Sequence, residues 1–173
     1  PFLSNHDMDR IGGSFILENN MRMAANLYLL SPGSPMIYYG EEIGLRGSRG
    51  GEMTDANRRL AMRWGDEDHV RDPQGSTYPA KNQIQTTVAD QLQDENSLLS
   101  YYGKLIALRH EYPAIARGSY KAINCSKNLG GFRITWEDQV LGLIHNNGTV
   151  EASYDLSKLK DGAFTEVCAF IGM

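Results

Sequence analysis

The stretch FLSNHDMDR near the start of the sequence places an amide, an imidazole, two carboxylates and a guanidinium close together. Asn5, His6 and Asp7 are adjacent, and Asp9 and Arg10 follow them. A neighbouring histidine and aspartate can act as metal ligands, as an acid–base pair or as hydrogen-bonding groups beneath a polar ligand. The alternative without chemistry is that these side chains only satisfy backbone groups at the end of a strand.

Metal binding and serine-type hydrolysis have little further support in the sequence. A metal site needs about three to four ligands, and the other histidines, His69, His110 and His145, show no ligand spacing to His6. No G-x-S-x-G motif is present, which argues against a hydrolytic serine triad. An acid–base pair, a ligand-binding surface and a purely structural role remain open from these residues alone.

The elements around this polar cluster are typical of a βαβ unit. Residues 1–5 are predicted as a short buried strand and residues 36–39, Met-Ile-Tyr-Tyr, as a second strand that is apolar on both faces, as parallel strands are. Between them, apolar residues recur at helical spacing and predict a helix over residues 15–30, ended by two prolines. Ligand sites in parallel sheets form beyond the carboxyl ends of the strands, which is where the polar cluster lies.

The middle of the chain predicts a long connection followed by a second helix. Residues 44–96 carry many glycines and polar residues and are predicted to be mostly loop, with one short helix near residues 84–93. The second amphipathic helix has Asn96 as its predicted N-cap and ends before Pro113. Gly103 inside this helix is attributed to close packing, because a helical glycine otherwise costs stability.

The pattern changes to a β-type alternation after Gly118. Apolar and polar residues alternate over residues 132–136 and again over residues 150–156. The dipeptide Asn147-Gly148 between these runs predicts a hairpin turn. A small antiparallel β domain is therefore predicted over residues 118–173.

Three other segments contain residues capable of chemistry, and a structural role is favoured for each. The glycine-rich residues 44–51 lack the Gly-Lys-Ser or Gly-Lys-Thr ending of a phosphate loop and are interpreted as a solvated loop. Trp136 could stack on a sugar ring, but its place in an alternating strand favours the core. Glu41 and Glu42 follow the second predicted strand and are interpreted as a charged loop start.

Composition excludes several classes of partner. The 173 residues include 17 Lys and Arg and 21 Asp and Glu, for a net charge of -4, and the basic residues form no stripe. This argues against nucleic acid as the main partner. The longest apolar stretches are far below the roughly 20 residues that cross a bilayer, so no membrane partner is expected. Cys125 and Cys168 are compatible with one disulfide or with two free thiols.

Four segments together resemble the α-amylase family, glycoside hydrolase family 13. Residues 2–7 are similar to the family's motif after the seventh barrel strand, and residues 33–42, GSPMIYYGEE, resemble its eighth-strand motif. Residues 59–64, RLAMRW, are similar to the family's R-x-P-M-x-W segment, with Ala61 where proline is usual. Residues 105–120 resemble the passage from the eighth barrel helix into the family's C-terminal β domain.

The resemblance implies an α/β region followed by an all-β region. Residues 1–117 are expected to form the last two β/α units of a (β/α)8 TIM barrel, and residues 118–173 a small antiparallel β-sandwich domain. The chain is expected to begin near the seventh barrel strand, so that the family's nucleophile and general acid lie upstream of Pro1. Two barrel strands would expose edges and apolar faces, so self-association of the chain is also expected.

The resemblance also implies a retaining α-glucoside hydrolase of α-amylase type that acts on starch, maltodextrin, maltooligosaccharides or related α-glucans. Asp7 matches the family's transition-state-stabilising carboxylate, and His6 matches the histidine that donates to the same sugar. Arg10 fits a position that in several relatives pairs with a carboxylate near the substrate, so a substrate-binding role is expected for it. Family members that transfer or isomerise glucosyl groups, and non-catalytic relatives that bind carbohydrate or act as scaffolds, are the alternatives. The chain by itself is expected not to turn over substrate.

No organic cofactor is implied, and no metal ligand is predicted in this chain. Calcium is common in the family, and it is expected only for a longer parent protein, because its usual ligands come mainly from earlier loops. The sequence shows no twelve-residue calcium loop. Localisation is not assigned by these residues, and secretion is an expectation only by analogy with starch-degrading relatives.

Overall fold

The computed structural model describes residues 1–15, 17–67, 69–126 and 128–155. The α-helices are α1 (Ile11–Ser14), α2 (Glu18–Leu29), α3 (Val88–Leu92), α4 (Leu98–Glu111) and α5 (Ala114–Arg117), and the strands are β1 (Ser119–Ala122), β2 (Leu129–Trp136) and β3 (Gln139–Asn146). Short 3₁₀ turns lie at Glu41–Ile43, Glu52–Thr54, Ala56–Arg58 and Ala80–Asn82. Within this described part of the chain, no helix has the length and apolar character needed to cross a membrane.

Helices α2 and α4 pack against each other and form the main core. The predicted helix over residues 15–30 is present as α2, which begins at Glu18 because Phe15 is extended, with φ -110° and ψ 100°, and separates it from α1. The buried cluster contains Met21, Ala25, Tyr28, Leu29, Leu30, Leu98, Tyr101, Tyr102, Leu105, Ala114, Ile115 and Ile134. Burial of this apolar surface is the main favourable contribution to folding here.

The second predicted helix is present as α4, but Ser97 caps it instead of Asn96. The Ser97 hydroxyl oxygen accepts a hydrogen bond from the Ser100 N–H at 3.1 Å and the hydroxyl donates to the Gln91 carbonyl at 2.7 Å. Ser97 is buried, whereas Asn96 is exposed. The predicted close packing at Gly103 is wrong, because a Cβ added there would meet no atom within 4 Å.

The end of α4 fixes the turn that leads into the second extended segment. Arg109 is buried and its Nη1 donates to the carbonyls of Leu29 and Ser31 at 2.6 and 2.7 Å. Its Nη2 donates to the Gly33 carbonyl. One guanidinium therefore connects the end of α2 with the residues that precede the polar turn at Glu41.

The two predicted barrel strands are not strands in this structure. Residues 1–5 and 36–39 form no β-ladder, although the Met36 N–H donates to the Pro1 carbonyl at 2.9 Å and so holds the segments side by side. A single bond does not make the continuous ladder that defines a strand pair. Parallel strands are also normally covered on both faces, and here Phe2 and Met36 are 50% and 48% exposed.

Residues 44–96 are mostly loop, as predicted, and the short predicted helix near residues 84–93 is present as α3. This long connection is anchored by a second apolar cluster formed by Ile43, Leu45 and Met62, against which Ile84, Val88 and Leu99 pack. The connection is therefore held against the body of the protein at several points along its length.

The strands form one antiparallel sheet in the order β1-β2-β3. Ile134 lies opposite Tyr120 on β1 and Leu141 on β3. It is fully buried and belongs to the same cluster as α2 and α4. Trp136 is half-buried against this cluster, which confirms its interpretation as a core residue.

The hairpin turn predicted at Asn147-Gly148 is wrong. β2 and β3 are joined instead by a two-residue turn at Glu137–Asp138, with a φ of 52° at Glu137, and Asn147 follows the end of β3. Residues 150–155 form no strand. The C-terminal residues 156–173 lie outside the described part of the chain, so the β-sandwich and the domain division at residue 118 stay predictions, and both alternatives for Cys125 and Cys168 stay open.

Candidate functional site

His6 and Asp7 lie together in an exposed turn at the end of the first extended segment. Asn5 Oδ1 accepts a hydrogen bond from the Asp7 N–H at 2.9 Å, which closes the turn. His6 Nε2 lies 3.3 Å from Asp7 Oδ2, and both side chains are 64% exposed. An imidazole beside a carboxylate can donate and accept hydrogen bonds. The two predicted site residues are thus brought together where a polar ligand can reach them.

Arg59 fixes the orientation of this turn. Its Nη2 donates to Asp7 Oδ1 at 3.0 Å and to Asp55 Oδ2 at 3.4 Å, and its Nε donates to the His6 carbonyl at 3.2 Å. One planar guanidinium therefore contacts the backbone of one site residue and the side chain of the next. The sequence alone does not identify this contact, because Arg59 and Asp7 are 52 positions apart; the only signal is that Arg59 opens the RLAMRW segment.

Arg58 connects the same loop to Asp9. Its Nε donates to Asp9 Oδ1 at 2.9 Å and its Nη1 donates to Asp55 Oδ1 at 2.7 Å. Asp9 Oδ1 also accepts from the Arg49 N–H at 2.7 Å. Hydrogen bonds to Asp9 and Asp55 raise the pKa of Arg58, and Asp9 has the larger effect. Ion pairs near the surface contribute little to stability, so the effect of this network is mainly to orient the loop against the turn.

Arg10 lies inside the protein, with no exposed surface. Its guanidinium carbon is 4.3 Å from the centroid of the Tyr38 ring and 4.5 Å from that of Tyr39. Nη1 donates to the Tyr39 carbonyl at 2.6 Å and Nε to the Arg58 carbonyl at 2.9 Å. Burial lowers the pKa of Arg10. Because Arg10 has no exposed surface, its position departs from the predicted substrate-binding role and favours a positioning role.

Glu41 is buried behind the site. The Ser4 hydroxyl donates to its Oε1, and the Tyr38 N–H donates to its Oε2 at 3.4 Å. Gly40 and Gly44, with φ values of 87° and 74°, flank the 3₁₀ turn that contains Glu41. Burial raises the pKa of Glu41, and the Ser4 hydrogen bond partly offsets this effect. The interpretation of Glu41 as a charged loop start without a partner is therefore wrong, because Glu41 is buried and hydrogen-bonded.

The carboxylates at the turn form ion pairs with arginines. Asp7 pairs with Arg59, and Asp9 pairs with Arg58. Over residues 1–15, 17–67, 69–126 and 128–155, no three His, Cys, Asp or Glu side chains form a group that could hold a metal ion. Calcium in the full-length parent stays a prediction.

Comparison with known proteins identifies the family to which this arrangement belongs. The family model described as the alpha amylase catalytic domain matches residues 1–118. Alpha-amylase SusG of Bacteroides thetaiotaomicron is 36% identical over 155 residues, which cover 84% of this chain and 22% of that protein. Alpha-amylase 3 of Dictyoglomus thermophilum is 29% identical over 163 residues, which cover 90% of this chain and 31% of that protein.

A solved structure supports the same assignment. Eubacterium rectale Amy13B matches with a TM-score of 0.83 and 33% identity over 93% of this chain and 32% of that chain. The chain thus spans about a fifth to a third of the length of these relatives. The match to the catalytic domain implies the TIM-barrel fold for that domain. This chain belongs to the α-amylase family, glycoside hydrolase family 13.

Proposed function

We propose that this chain forms one wall of the sugar-binding active site of a retaining α-glucoside hydrolase. The observation that carries the proposal is the exposed His6–Asp7 pair, held by Arg59 at the position of the family's seventh-strand motif. Asp7 is the carboxylate that supports the transition state, and His6 donates a hydrogen bond to the same sugar. Arg10 acts indirectly, by holding the backbone of Tyr39 and Arg58.

The proposed chemistry gives Asp7 a supporting role instead of a covalent one. Retaining glycosidases use a nucleophile and a general acid about 5 Å apart, and the sugar passes through an oxocarbenium-like transition state. A fixed carboxylate accepts hydrogen bonds from sugar hydroxyls, and these bonds strengthen as positive charge develops on the ring. The nucleophile and the acid are not assigned to any residue of this chain, so the chain by itself is expected to be inactive.

The proposed substrate is an α-glucan, meaning starch, maltodextrin or a maltooligosaccharide. The support comes from SusG, which is 36% identical and is named an α-amylase. Hydrolysis is favoured over glucosyl transfer for the same reason. The products separate the two reactions, because hydrolysis shortens maltoheptaose whereas transfer also yields rearranged or longer oligosaccharides.

A chimera tests the role of Asp7. This chain replaces the corresponding segment of SusG, and release of reducing sugar from maltoheptaose is measured. We expect an active chimera in which Asp7→Asn lowers kcat about 100-fold or more, because a contact made mainly in the transition state is lost. Glu111→Gln removes another exposed carboxylate and serves as the matched control, with kcat unchanged.

Two results would contradict this proposal. One is equal kcat in the Asp7→Asn and parent chimeras at equal folded fraction, measured by circular dichroism. The other is clear release of reducing sugar from starch by the purified 173-residue chain, because that would show that the nucleophile and the acid are both present in it.

A further inference from the structure

A buried hydrogen bond between Ser4 and Glu41 lies directly behind the turn at Asp7. The Ser4 hydroxyl donates to Glu41 Oε1, and the exposed fractions of the two residues are 0% and 1%. Ser4 immediately precedes Asn5, whose Oδ1 accepts from the Asp7 N–H. A hydrogen bond that water cannot reach is stronger than an exposed one and costly to leave unmade. This bond therefore fixes the residue from which the turn starts.

Glu41 is itself held in place by its own backbone. Its N–H donates to the Tyr38 carbonyl at 3.0 Å, and its carbonyl accepts from the Gly44 N–H at 3.0 Å. The left-handed φ values at Gly40 and Gly44 begin and end the 3₁₀ turn around it, and glycine adopts such values without strain. The Glu41 carboxylate is thus a fixed acceptor for Ser4.

The same segment of the chain also supports the other end of the turn at Asp7. The Arg10 N–H donates to the Gly47 carbonyl at 2.9 Å. A Cβ added at Gly47 would lie 3.1 Å from Arg10 Cδ, so these residues are in close contact. Residues 40–47 therefore hold the turn on both sides of its exposed side chains, through Glu41 before them and Gly47 after them.

The two supports depend differently on side chains. The support after the turn is a backbone hydrogen bond, which does not require a particular side chain at Arg10. The support before the turn joins two side chains and is lost when either Ser4 or Glu41 is replaced by alanine. Arg59 contacts Asp7 at the surface, where the side chains are 44% and 64% exposed, and such ion pairs contribute little energy. The Ser4–Glu41 bond is therefore the side-chain contact on which the position of the turn depends most.

We propose that Glu41 is a positioning residue for Asp7 and that it acts through Ser4. The proposal rests on the proposed function, because it concerns the same carboxylate. Contact with the sugar belongs to His6 and Asp7, and Glu41 keeps Asp7 where the developing charge needs it. A group that is already in place stabilises a transition state without reorganisation, and a displacement of about 1 Å can cost about 100-fold in rate.

Backbone ¹⁵N relaxation of the full chain tests whether the bond holds the turn. We expect the order parameter of the Asp7 N–H to be near the rigid value of about 0.85 and to fall towards about 0.6 in Ser4→Ala. Ser100→Ala also removes a serine hydroxyl, one that donates to the Asp94 carbonyl at 2.8 Å. It is the matched control and should leave the Asp7 order parameter unchanged.

Kinetics of the SusG chimera test whether this position matters for the reaction. We expect Ser4→Ala to lower kcat about tenfold and to change KM less than about twofold, because the contact is used mainly in the transition state. In a chimera that already carries Asp7→Asn, Ser4→Ala should change kcat less than about twofold, since no carboxylate is left to position. Glu41→Gln keeps an oxygen that accepts from Ser4 and should lower kcat less than Ser4→Ala does.

The outcomes separate the positioning role from the proposed role of Asp7. Unchanged kcat in Ser4→Ala, together with a large loss in Asp7→Asn, would overturn the positioning role and leave the proposed function standing. The same fold-loss from Ser4→Ala in the parent and Asp7→Asn chimeras would show a general structural role and overturn it as well. Unchanged kcat in Asp7→Asn would contradict the proposed function, and an unchanged Asp7 order parameter in Ser4→Ala would show that Ser4 does not hold the turn.

Discussion

At the residue scale, the arginines of this region divide between two tasks. Arg59 is exposed and Arg58 is mostly covered, and both orient exposed carboxylates, whereas the buried Arg10 lies against two tyrosine rings and backbone carbonyls. Planar guanidinium groups suit both tasks, since they donate in several fixed directions and stack on aromatic faces. Arg10 therefore belongs to the framework that places the turn, and Arg59 to the turn itself.

Because Arg10 is buried, even its conservative substitution by lysine is expected to cause a large loss of stability. We expect Arg10→Lys to lower the free energy of unfolding by about 2–3 kcal/mol, because an ammonium cannot contact both rings and reach both carbonyls at once. Urea unfolding followed by circular dichroism measures the change. Arg49→Lys, at an exposed side chain, is the matched control and should change little; equal effects in the two variants would contradict this expectation.

Glu41 predicts a specific pH dependence of stability. Burial raises the pKa of Glu41 above the ordinary value of a glutamate, so the folded state holds this proton more tightly than the unfolded state. The free energy of unfolding must then fall as pH rises from the unfolded pKa through the folded one. Glu41→Gln cannot ionise, and we expect it to reduce this fall. Urea unfolding at a series of pH values tests this, and an unchanged pH slope would contradict it.

At the scale of the elements, the start of α4 predicts unequal effects for two neighbouring residues. Ser97→Ala should cost about 1–2 kcal/mol of stability, because it removes the acceptor for Ser100 N–H and the donor to Gln91. Asn96→Ala, at the exposed neighbour, should cost less than about 0.5 kcal/mol. Thermal unfolding of both variants measures the difference, and the reverse order would restore Asn96 as the cap.

Gly103 and Gly118 predict opposite effects of alanine. Gly103→Ala should raise the free energy of unfolding by about 0.5–1 kcal/mol, because a helical Cβ has open space there. Gly118→Ala should lower it by at least about 1 kcal/mol, since the new Cβ would lie 2.5 Å from Ile134 Cγ2 and 2.6 Å from the Ala114 carbonyl oxygen. Urea unfolding measures both, and stabilisation by the second substitution would contradict this packing.

Periodicity predicted the elements better than their ends and turns. α2 and α4 follow from apolar spacing because one face of each is buried in a shared core. The choice between Asn96 and Ser97 could not be predicted, since both residue types cap helices and only burial decides. The Asn147-Gly148 signal was overridden because pairing of β2 with β3 places the turn at Glu137–Asp138.

Only contacts between residues that are adjacent in the sequence could be predicted for the candidate site. The closeness of His6 and Asp7 follows from their adjacent positions, and the structure adds their exposure. The contact with Arg59 joins residues that are 52 positions apart, and no local pattern predicts such a contact. Glu41 was misassigned because its partner, Ser4, is 37 positions away.

At the scale of the whole molecule, the exposed apolar side chains predict self-association. Phe2 and Met36, 50% and 48% exposed, lie on the two neighbouring extended segments. We expect sedimentation velocity to show association that increases with concentration and decreases in the Phe2→Ser/Met36→Ser double variant. Leu92→Ser, at a side chain that is 66% exposed on α3, is the control and should leave association unchanged. A chain that stays monomeric at every concentration would contradict this.

The burial of Ile134 has a consequence for how this protein can be divided. Ile134 of β2 packs in the same buried cluster as residues of α2 and α4. Truncating the chain before β1 would therefore leave a cavity in the core of the helices. Truncations and domain transplants that end at residue 118 are therefore a poor choice, even though the family model ends there. A boundary placed after β3 would keep the hairpin with the helices that it completes.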